Sequence, residues 1–219
     1  MPDLTADPWF EAAHAFSSNV HSCGSSGNGE SGPAETRNLR KIEIAYTEFT
    51  LWLTPCDSLR STLRSIIRSL AASLDAVEFE PHITVYCGPS TDAEVRAVAH
   101  VIAKQFSQVE LTADRLCHTE RYTKTLFVQF HESIAVRQMF EVAAKGYSRQ
   151  SNYILNPHLS LLYKTLPETK RRELCETLDV PMGAYKFDRI RMIETELPIE
   201  DAGPVRRWRV VCDEATGGQ

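Results

Sequence analysis

The sequence predicts an α+β protein with two similar lobes, each an antiparallel sheet backed by helices, around a central cleft. Two observations lead to this prediction. Strand-like and helix-like segments follow one another in the order β-α-β-α-β-β-α-β-α-β-β. In addition, the pattern Pro-His-aliphatic-Thr/Ser-aliphatic occurs twice, at Pro81–Val85 and at Pro157–Leu161, each time between two predicted helices. A motif used twice in equivalent surroundings indicates two related halves.

The elements of the first half follow from hydrophobic spacing and from capping residues. Apolar and polar residues alternate over Tyr46–Leu53, which predicts a strand. Asp57 or Ser58 can cap a helix that runs to about Leu74. Thr91, with Glu94 three residues later, has the spacing of a capping box and predicts the start of the second helix. The same spacing arguments predict strands over 109–117 and 124–130, helices over 132–149 and 166–178, and strands over 186–194 and 205–212.

The domain boundaries follow from a change in composition. Residues 17–33 are rich in Ser, Gly and Asn, so they contain too little apolar surface to form a core. We therefore expect a flexible arm over residues 1–40, one folded domain of two lobes over 41–213, and a short tail over 214–219.

Charge and composition exclude several classes of protein. The chain has 219 residues and a formal net charge of −5, which argues against a partner with a long nucleic-acid tract. No apolar run approaches the length of a membrane span. The six cysteines are scattered without a CxxC pair, and the N-terminus does not resemble a secretory signal. We expect a cytoplasmic monomer that binds no membrane.

The repeated motif contains the candidate chemistry. Side chains alternate along a strand, so His82 and Thr84 point to one face while their aliphatic neighbours point to the other, and the same holds for His158 and Ser160. Polar pairs of this kind are costly in a core unless they have partners, which favours a ligand-filled or water-filled cleft. Two imidazoles and two hydroxyls that meet in one cleft can hold a phosphate and pass protons on both sides of it.

These residues also resemble a known family. The two tetrads resemble those of the 2H phosphoesterase superfamily, and the wider match resembles the plant and yeast type of cyclic nucleotide phosphodiesterase. The resemblance spans about residues 45–213. The stretches that support it are Phe49–Pro55 (FTLWLTP), Phe79–Val85 (FEPHITV), Pro157–Tyr163 (PHLSLLY), Thr195 and Trp208–Cys212 (WRVVC). The segment Tyr86–Pro89 departs from a common pattern, which leaves the shape of the pocket rim open.

The resemblance implies a bilobal fold and hydrolysis of a five-membered cyclic phosphate. The implied substrates are ADP-ribose 1″,2″-cyclic phosphate, a by-product of tRNA splicing, and nucleoside 2′,3′-cyclic phosphates. The implied catalytic residues are His82 and His158, and the implied phosphate-binding residues are Thr84, Ser160 and Tyr163.

Elementary chemistry agrees with this assignment. Two histidines with ordinary pKa values near 6.5 can hold opposite protonation states, one as general base and one as general acid, and the sequence leaves open which is which. Hydroxyl groups can donate hydrogen bonds to the non-bridging phosphate oxygens. Neither tetrad has a carboxylate beside its histidine, so we expect no metal and no cofactor. Trp52 and Tyr122 could stack on an adenine, although a tryptophan on a strand is more often a core residue.

Two other functions stay open from the sequence. One is a 2H enzyme that acts on RNA ends, as a 2′-5′ ligase or phosphodiesterase, against which the net negative charge argues. The other is a module that binds a nucleotide or cyclic phosphate without turning it over. Against this module, both histidines and both hydroxyl residues of the tetrads are present.

Overall fold

A computed structural model of the chain describes residues 47–217. Its strands are β1 (Thr47–Pro55), β2 (Ile83–Ser90), β3 (Val109–His118), β4 (Leu126–Phe130), β5 (His158–Leu162), β6 (Ala184–Thr195) and β7 (Arg209–Ala215). Its helices are α1 (Asp57–Leu74), α2 (Asp92–Gln105), α3 (Ile134–Gly146), α4 (Glu168–Thr177) and α5 (Ala202–Arg206), with a 3-10 turn at Tyr122–Lys124. The predicted arm over residues 1–40 lies outside the described residues.

The element order matches the sequence prediction with two corrections. The capping box of α2 is present, since the Thr91 hydroxyl accepts from the Glu94 N–H and the Glu94 carboxylate accepts from the Thr91 N–H. The expected cap of α1 is wrong: Asp57 is already helical, and Cys56 precedes it without a side-chain cap. The last predicted strand is also misplaced, because Val205 lies in the short helix α5 and β7 begins only at Arg209.

All strands pair antiparallel, and they form one sheet in the order β1-β2-β5-β4-β3-β6-β7, with a further pairing of β1 to β6. The α+β class with antiparallel strands is confirmed, but the two expected sheets are continuous with each other. The reason is the length of β6, whose first residues pair with β3 while the following residues pair with β1 and β7. A single strand therefore belongs to both lobes.

The two lobes also interleave along the chain. Helix α2 packs against β6 and β7 and α3 packs against β2, whereas α1 packs mainly against β5 and α4 packs against β3 and β4. Each half of the sequence thus contributes a helix to the other lobe: α1 packs against β5, and α3 packs against β2. The buried stripe of α1, formed by Leu63, Ile67 and Leu70, belongs to the same continuous hydrophobic core as the strands. None of the helices within residues 47–217 is long and apolar enough to cross a membrane.

The strands that carry the two motifs meet at one point. Strands β2 and β5 share a single ladder pair, Ile83 with Leu159, and both side chains are fully buried. Because the strands run antiparallel, this pair sets His82 beside Ser160 and Thr84 beside His158 on the opposite face. The junction between the lobes therefore brings the four polar side chains of the motifs together.

Candidate active site

The site lies on the face of the sheet opposite the buried Ile83–Leu159 pair. Its floor continues into β1, where Trp52 stands opposite Thr84 on one side and opposite Arg191 of β6 on the other. Residues directly opposite each other in an antiparallel pair project from the same face. The sheet register therefore adds Trp52 and Arg191 to the two motifs.

Both histidines are held in the same way. The Nδ1 atom of His82 lies 2.6 Å from the backbone carbonyl oxygen of Glu80, and that of His158 lies 2.7 Å from the carbonyl oxygen of Asn156. A carbonyl oxygen can only accept, so Nδ1 carries the proton in both rings and, in the neutral imidazole, Nε2 is left with a free lone pair. The repeated motif thus selects one tautomer twice, and each neutral ring can accept a proton at Nε2.

Burial keeps these rings neutral in the free protein. The pKa of His82 is lowered to about 4, chiefly by desolvation; the hydrogen bond to the Glu80 carbonyl opposes this shift and the positive charge of Arg191 adds to it. The pKa of His158 is likewise lowered, to about 3, chiefly by desolvation and secondly by the positive charge of Lys124. An anion in the cleft would act in the opposite direction and favour the protonated form of either ring.

The two motif hydroxyls differ in their partners. The Ser160 hydroxyl is buried and donates to the backbone oxygen of Thr123, 2.8 Å away, which ties β5 to the 3-10 turn. Thr84 is half-buried, and its hydroxyl makes no hydrogen bond to any of residues 47–217. Thr84 can therefore donate to a ligand without breaking a bond, whereas Ser160 must first turn away from Thr123.

Tyr163 lies at the same site. Its ring stacks on Phe79 with the ring centroids 3.8 Å apart, and its hydroxyl interacts with Ser160. Burial raises the pKa of Tyr163 above its ordinary value, so the phenol keeps its proton and can donate it in a hydrogen bond.

The two residues predicted to stack on a base lie at different depths. Trp52 is only 4% exposed, and its indole already stacks on the His82 ring, with centroids 3.6 Å apart and planes 9° apart. Trp208, which sequence reasoning did not place in the site, meets Trp52 edge-on and donates its Nε1 proton to Thr195. Tyr122 is half-buried, 6.2 Å from the ring of Tyr163. Stacking of either residue on a substrate base stays a prediction.

Two further residues of the site, Arg191 and Gln129, were not predicted from the sequence. They lie near Glu80 and Asn156, whose backbone carbonyls accept from the two histidines. The local sequence around Arg191 is typical of a solvated strand face, but its side chain is 16% exposed and approaches the carboxylate of Glu80. Gln129, directly opposite His158, donates to Asn156 and to the backbone oxygen of Pro157. The only sequence signal was the proline that precedes each histidine, since proline restricts the residue before it and thereby the carbonyl that the ring contacts.

Two further chemistries find no support within residues 47–217. No group of three or more His, Cys, Asp or Glu side chains there is arranged to hold a metal ion. Cys87 follows His82 closely in the chain, but burial raises the pKa of its thiol to about 12, so it is a packed residue and a poor nucleophile.

Sequence similarity to known proteins is low but extends over most of the chain. No model of a protein family matches the chain. The chain is 21% identical over 174 residues to the cyclic phosphodiesterase of Arabidopsis thaliana, which covers 78% of this chain and 96% of that protein.

Solved structures share the fold at low identity. The protein TT0787 of Thermus thermophilus superposes with a TM-score of 0.53 at 14% identity, covering 78% of this chain and 99% of that one. LigT of E. coli in its apo form superposes with a TM-score of 0.50 at 12% identity, covering 80% of this chain and 100% of that one. The architecture described above is therefore that of these proteins.

Proposed function

We propose that this protein, a 2H phosphoesterase by its fold and its two His-x-Thr/Ser tetrads, hydrolyses ribose cyclic phosphates to monophosphate esters without a metal. One observation carries the proposal: the antiparallel Ile83–Leu159 pair brings both tetrads to one face, and both histidines there have a proton on Nδ1 and a free Nε2. The relative named cyclic phosphodiesterase supports the phosphodiester class.

The mechanism follows from the two imidazoles. One histidine removes a proton from water through Nε2 as the water attacks phosphorus, and the other, protonated at Nε2, gives its proton to the departing ribose oxygen. Products are the ring-opened monophosphate ester and two histidines with exchanged protonation states. Solvent then returns the proton for the next turnover.

The acid histidine gains its proton together with the substrate. Since burial lowers both histidine pKa values well below neutrality, the negative charge of the cyclic phosphate is needed to favour an imidazolium in the cleft. Both histidines have the same Nδ1 hydrogen bond to a backbone carbonyl, so either one can be the base.

The hydroxyl groups bind the phosphate in this proposal. Thr84 donates to a non-bridging oxygen, joined by Ser160 after its hydroxyl turns from the Thr123 carbonyl, and by Tyr163 beside it. Trp52 holds one face of His82, and Tyr122 at the edge of the site contacts the nucleoside part of the substrate.

The substrates we propose are ADP-ribose 1″,2″-cyclic phosphate and nucleoside 2′,3′-cyclic phosphates, on the resemblance of the chain to cyclic nucleotide phosphodiesterases. A role in clearing by-products of tRNA splicing and a cytoplasmic location, as a monomer without cofactor or nucleic-acid partner, belong to the same proposal. They rest on the resemblance, the scattered cysteines and the net charge.

The test is to incubate the purified protein with each of the two cyclic phosphates and to follow the products by phosphorus NMR. The expected result is opening of at least one ring, with product peaks that identify the broken ester bond. His82→Asn and His158→Asn should each lower turnover at least about a hundredfold, as expected for a lost acid or base. His100→Asn is the matched control, because His100 is exposed and pairs with Glu214 on the surface.

Three outcomes would count against the proposal. Binding of both compounds without ring opening favours the non-catalytic module. Activity only on RNA ends favours the ligase or RNA phosphodiesterase. Full activity of either histidine variant removes that residue from the mechanism.

A further inference from the structure

The carbonyl that holds His82 belongs to a residue with an unusual side-chain environment. Glu80 supplies its backbone oxygen to Nδ1 of His82, and the ring of Pro81 between them restricts the backbone conformation of Glu80. The direction of this carbonyl depends on where Glu80 is held. Its side chain therefore matters for the orientation and tautomer of the histidine.

The Glu80 carboxylate is mostly buried and lies among three arginines. Arg64 of α1 donates to Oε2 from Nη2 at 2.6 Å and from Nε at 2.8 Å. Arg191 of β6 and Arg60 of α1 approach Oε1, at 3.5 Å and 3.8 Å. The Oε1 atom is buried and makes no hydrogen bond within residues 47–217, so these two arginines act on it through charge.

The three arginines come from two elements on either side of Glu80. Arg60 also contacts Asp57, and Arg191 also donates to Asp213 of β7 at 2.8 Å. These partners fix Arg60 and Arg191, so the carboxylate sits in a preformed positive pocket. A glutamate held this way restrains the peptide that contains its own carbonyl.

The second motif has a neutral version of the same arrangement. The carbonyl of Asn156 accepts from His158, and the Asn156 side chain accepts from Gln129 at 3.0 Å. In both motifs, the residue two positions before the histidine has its backbone oxygen on the ring and its side chain fixed by a neighbouring element. The arrangement is therefore a property of the motif and not an accident at one site.

We infer that Glu80 is a positioning residue for His82, which fixes the Nδ1–H tautomer through its carbonyl and offsets the positive charge of Arg191 through its carboxylate. The catalytic consequence rests on the proposed function, whereas the effect on the imidazole does not. Glu80 contacts no substrate in this scheme and acts only through His82.

The charge balance around His82 gives the direction of the effect. The charged or titratable groups that face it are Arg191 from β6 and His158 from β5, while the stacked Trp52 and edge-on Trp208 carry no charge. Replacing Glu80 by glutamine keeps the shape of the side chain but leaves the arginines without their shared counter-charge. An imidazolium at His82 then becomes harder to form.

The experiment compares Glu80→Gln with the wild type by nitrogen NMR of the histidine side chains and by steady-state kinetics. His82→Asn assigns the His82 signals. In the wild type at neutral pH we expect the His82 ring in the Nδ1–H form. In Glu80→Gln we expect a measurable population of the Nε2–H form, protonation of His82 only at lower pH, and kcat at least about tenfold lower with KM changed much less.

Glu78→Gln is the matched control. Glu78 lies two residues earlier, is exposed, and forms an ion pair with Arg68 at 3.4 Å. We expect its variant to keep the wild-type tautomer and kcat. Glu80→Asp, which keeps the charge, should lie closer to the wild type than Glu80→Gln does.

The outcomes separate this inference from the proposed function. A folded Glu80→Gln protein with an unchanged His82 tautomer and titration overturns the inference, whether or not the protein is an enzyme. If the wild type opens neither cyclic phosphate, the proposed function fails and the NMR comparison still decides the role of Glu80. Should Glu80→Gln not fold, Arg64→Gln, at a half-exposed position, removes the hydrogen bonds to the same carboxylate and should shift the tautomer in the same direction.

Discussion

Protonation of His82 should destabilise the fold, and the resulting loss of free energy of unfolding can be worked out from the effect of burial on the pKa of the ring. His82 is 6% exposed, and desolvation lowers its pKa to about 4, whereas an unfolded chain has a histidine pKa of about 6.5. Between these two values the unfolded state binds the proton and the folded state does not. Stability is therefore fully present above about pH 6.5 and is lost as the pH falls towards 4.

The magnitude follows from the two pKa values. Each pH unit between them costs about 1.4 kcal/mol for one proton, so His82 should contribute a loss of about 2 kcal/mol between pH 7 and pH 5. His158, whose pKa is lowered to about 3, has the same sign and should contribute a similar loss over the same interval.

The assay is urea denaturation at pH 7 and at pH 5, for the wild type and for His82→Asn. Asparagine can place an amide N–H near the position of Nδ1 and cannot titrate. Other groups titrate in both proteins, so they cancel when the two pH-dependent losses are subtracted. His82→Asn should lose about 2 kcal/mol less than the wild type between the two pH values.

An exposed histidine provides the control for this measurement. His100→Asn, measured at the same two pH values, removes a surface imidazole and leaves the cleft untouched, so it controls for the loss of a histidine as such. If His82→Asn and the wild type lose the same free energy of unfolding between pH 7 and pH 5, burial does not hold His82 neutral. The account of the site as two desolvated, neutral imidazoles would then be wrong.

Three other predictions test the turn, the helix packing and the metal-free chemistry. Ser160→Ala should lower the free energy of unfolding by about 0.5–1.5 kcal/mol in urea, because the Thr123 carbonyl in the half-buried turn loses its donor; unchanged stability would contradict this. Gly146→Ala should also destabilise, by about 1–3 kcal/mol, although alanine favours helices, because its Cβ would overlap Cγ2 of Val98; a raised melting temperature would contradict it. Activity on a cyclic phosphate should persist in EDTA, and a loss that zinc or manganese restores would overturn the metal-free mechanism.

Much of the fold could be predicted from local pattern. The helix beginning after Thr91 has both halves of its predicted capping box, and α1 ends at Leu74 as predicted from its apolar spacing. Such features depend on residues within a few positions of each other, so a single sequence contains them. The error at Val205 has the same origin, since an apolar residue in a short segment can pack from a helix as well as from a strand.

The lobes could not be assigned correctly from the chain order. The pattern predicted one sheet for each half, but β6 spans both, and α1 covers β5 of the other half. The length of β6 and the face that a helix buries are visible in the sequence. Which strands β6 pairs with, and which strand a helix packs against, depend on contacts between segments far apart in the sequence. Hydrophobic spacing contains no information about such contacts.

The site divides in the same way. His82, Thr84, His158 and Ser160 were identified from a five-residue motif that occurs twice, because strand alternation alone puts each pair on one face. The tautomer of each ring, the stack of Trp52 on His82, and the ion pairs of Glu80 arise only in the folded chain. Local periodicity thus specified the reactive groups, whereas their protonation and orientation depend on burial and on charges brought in from distant strands and helices.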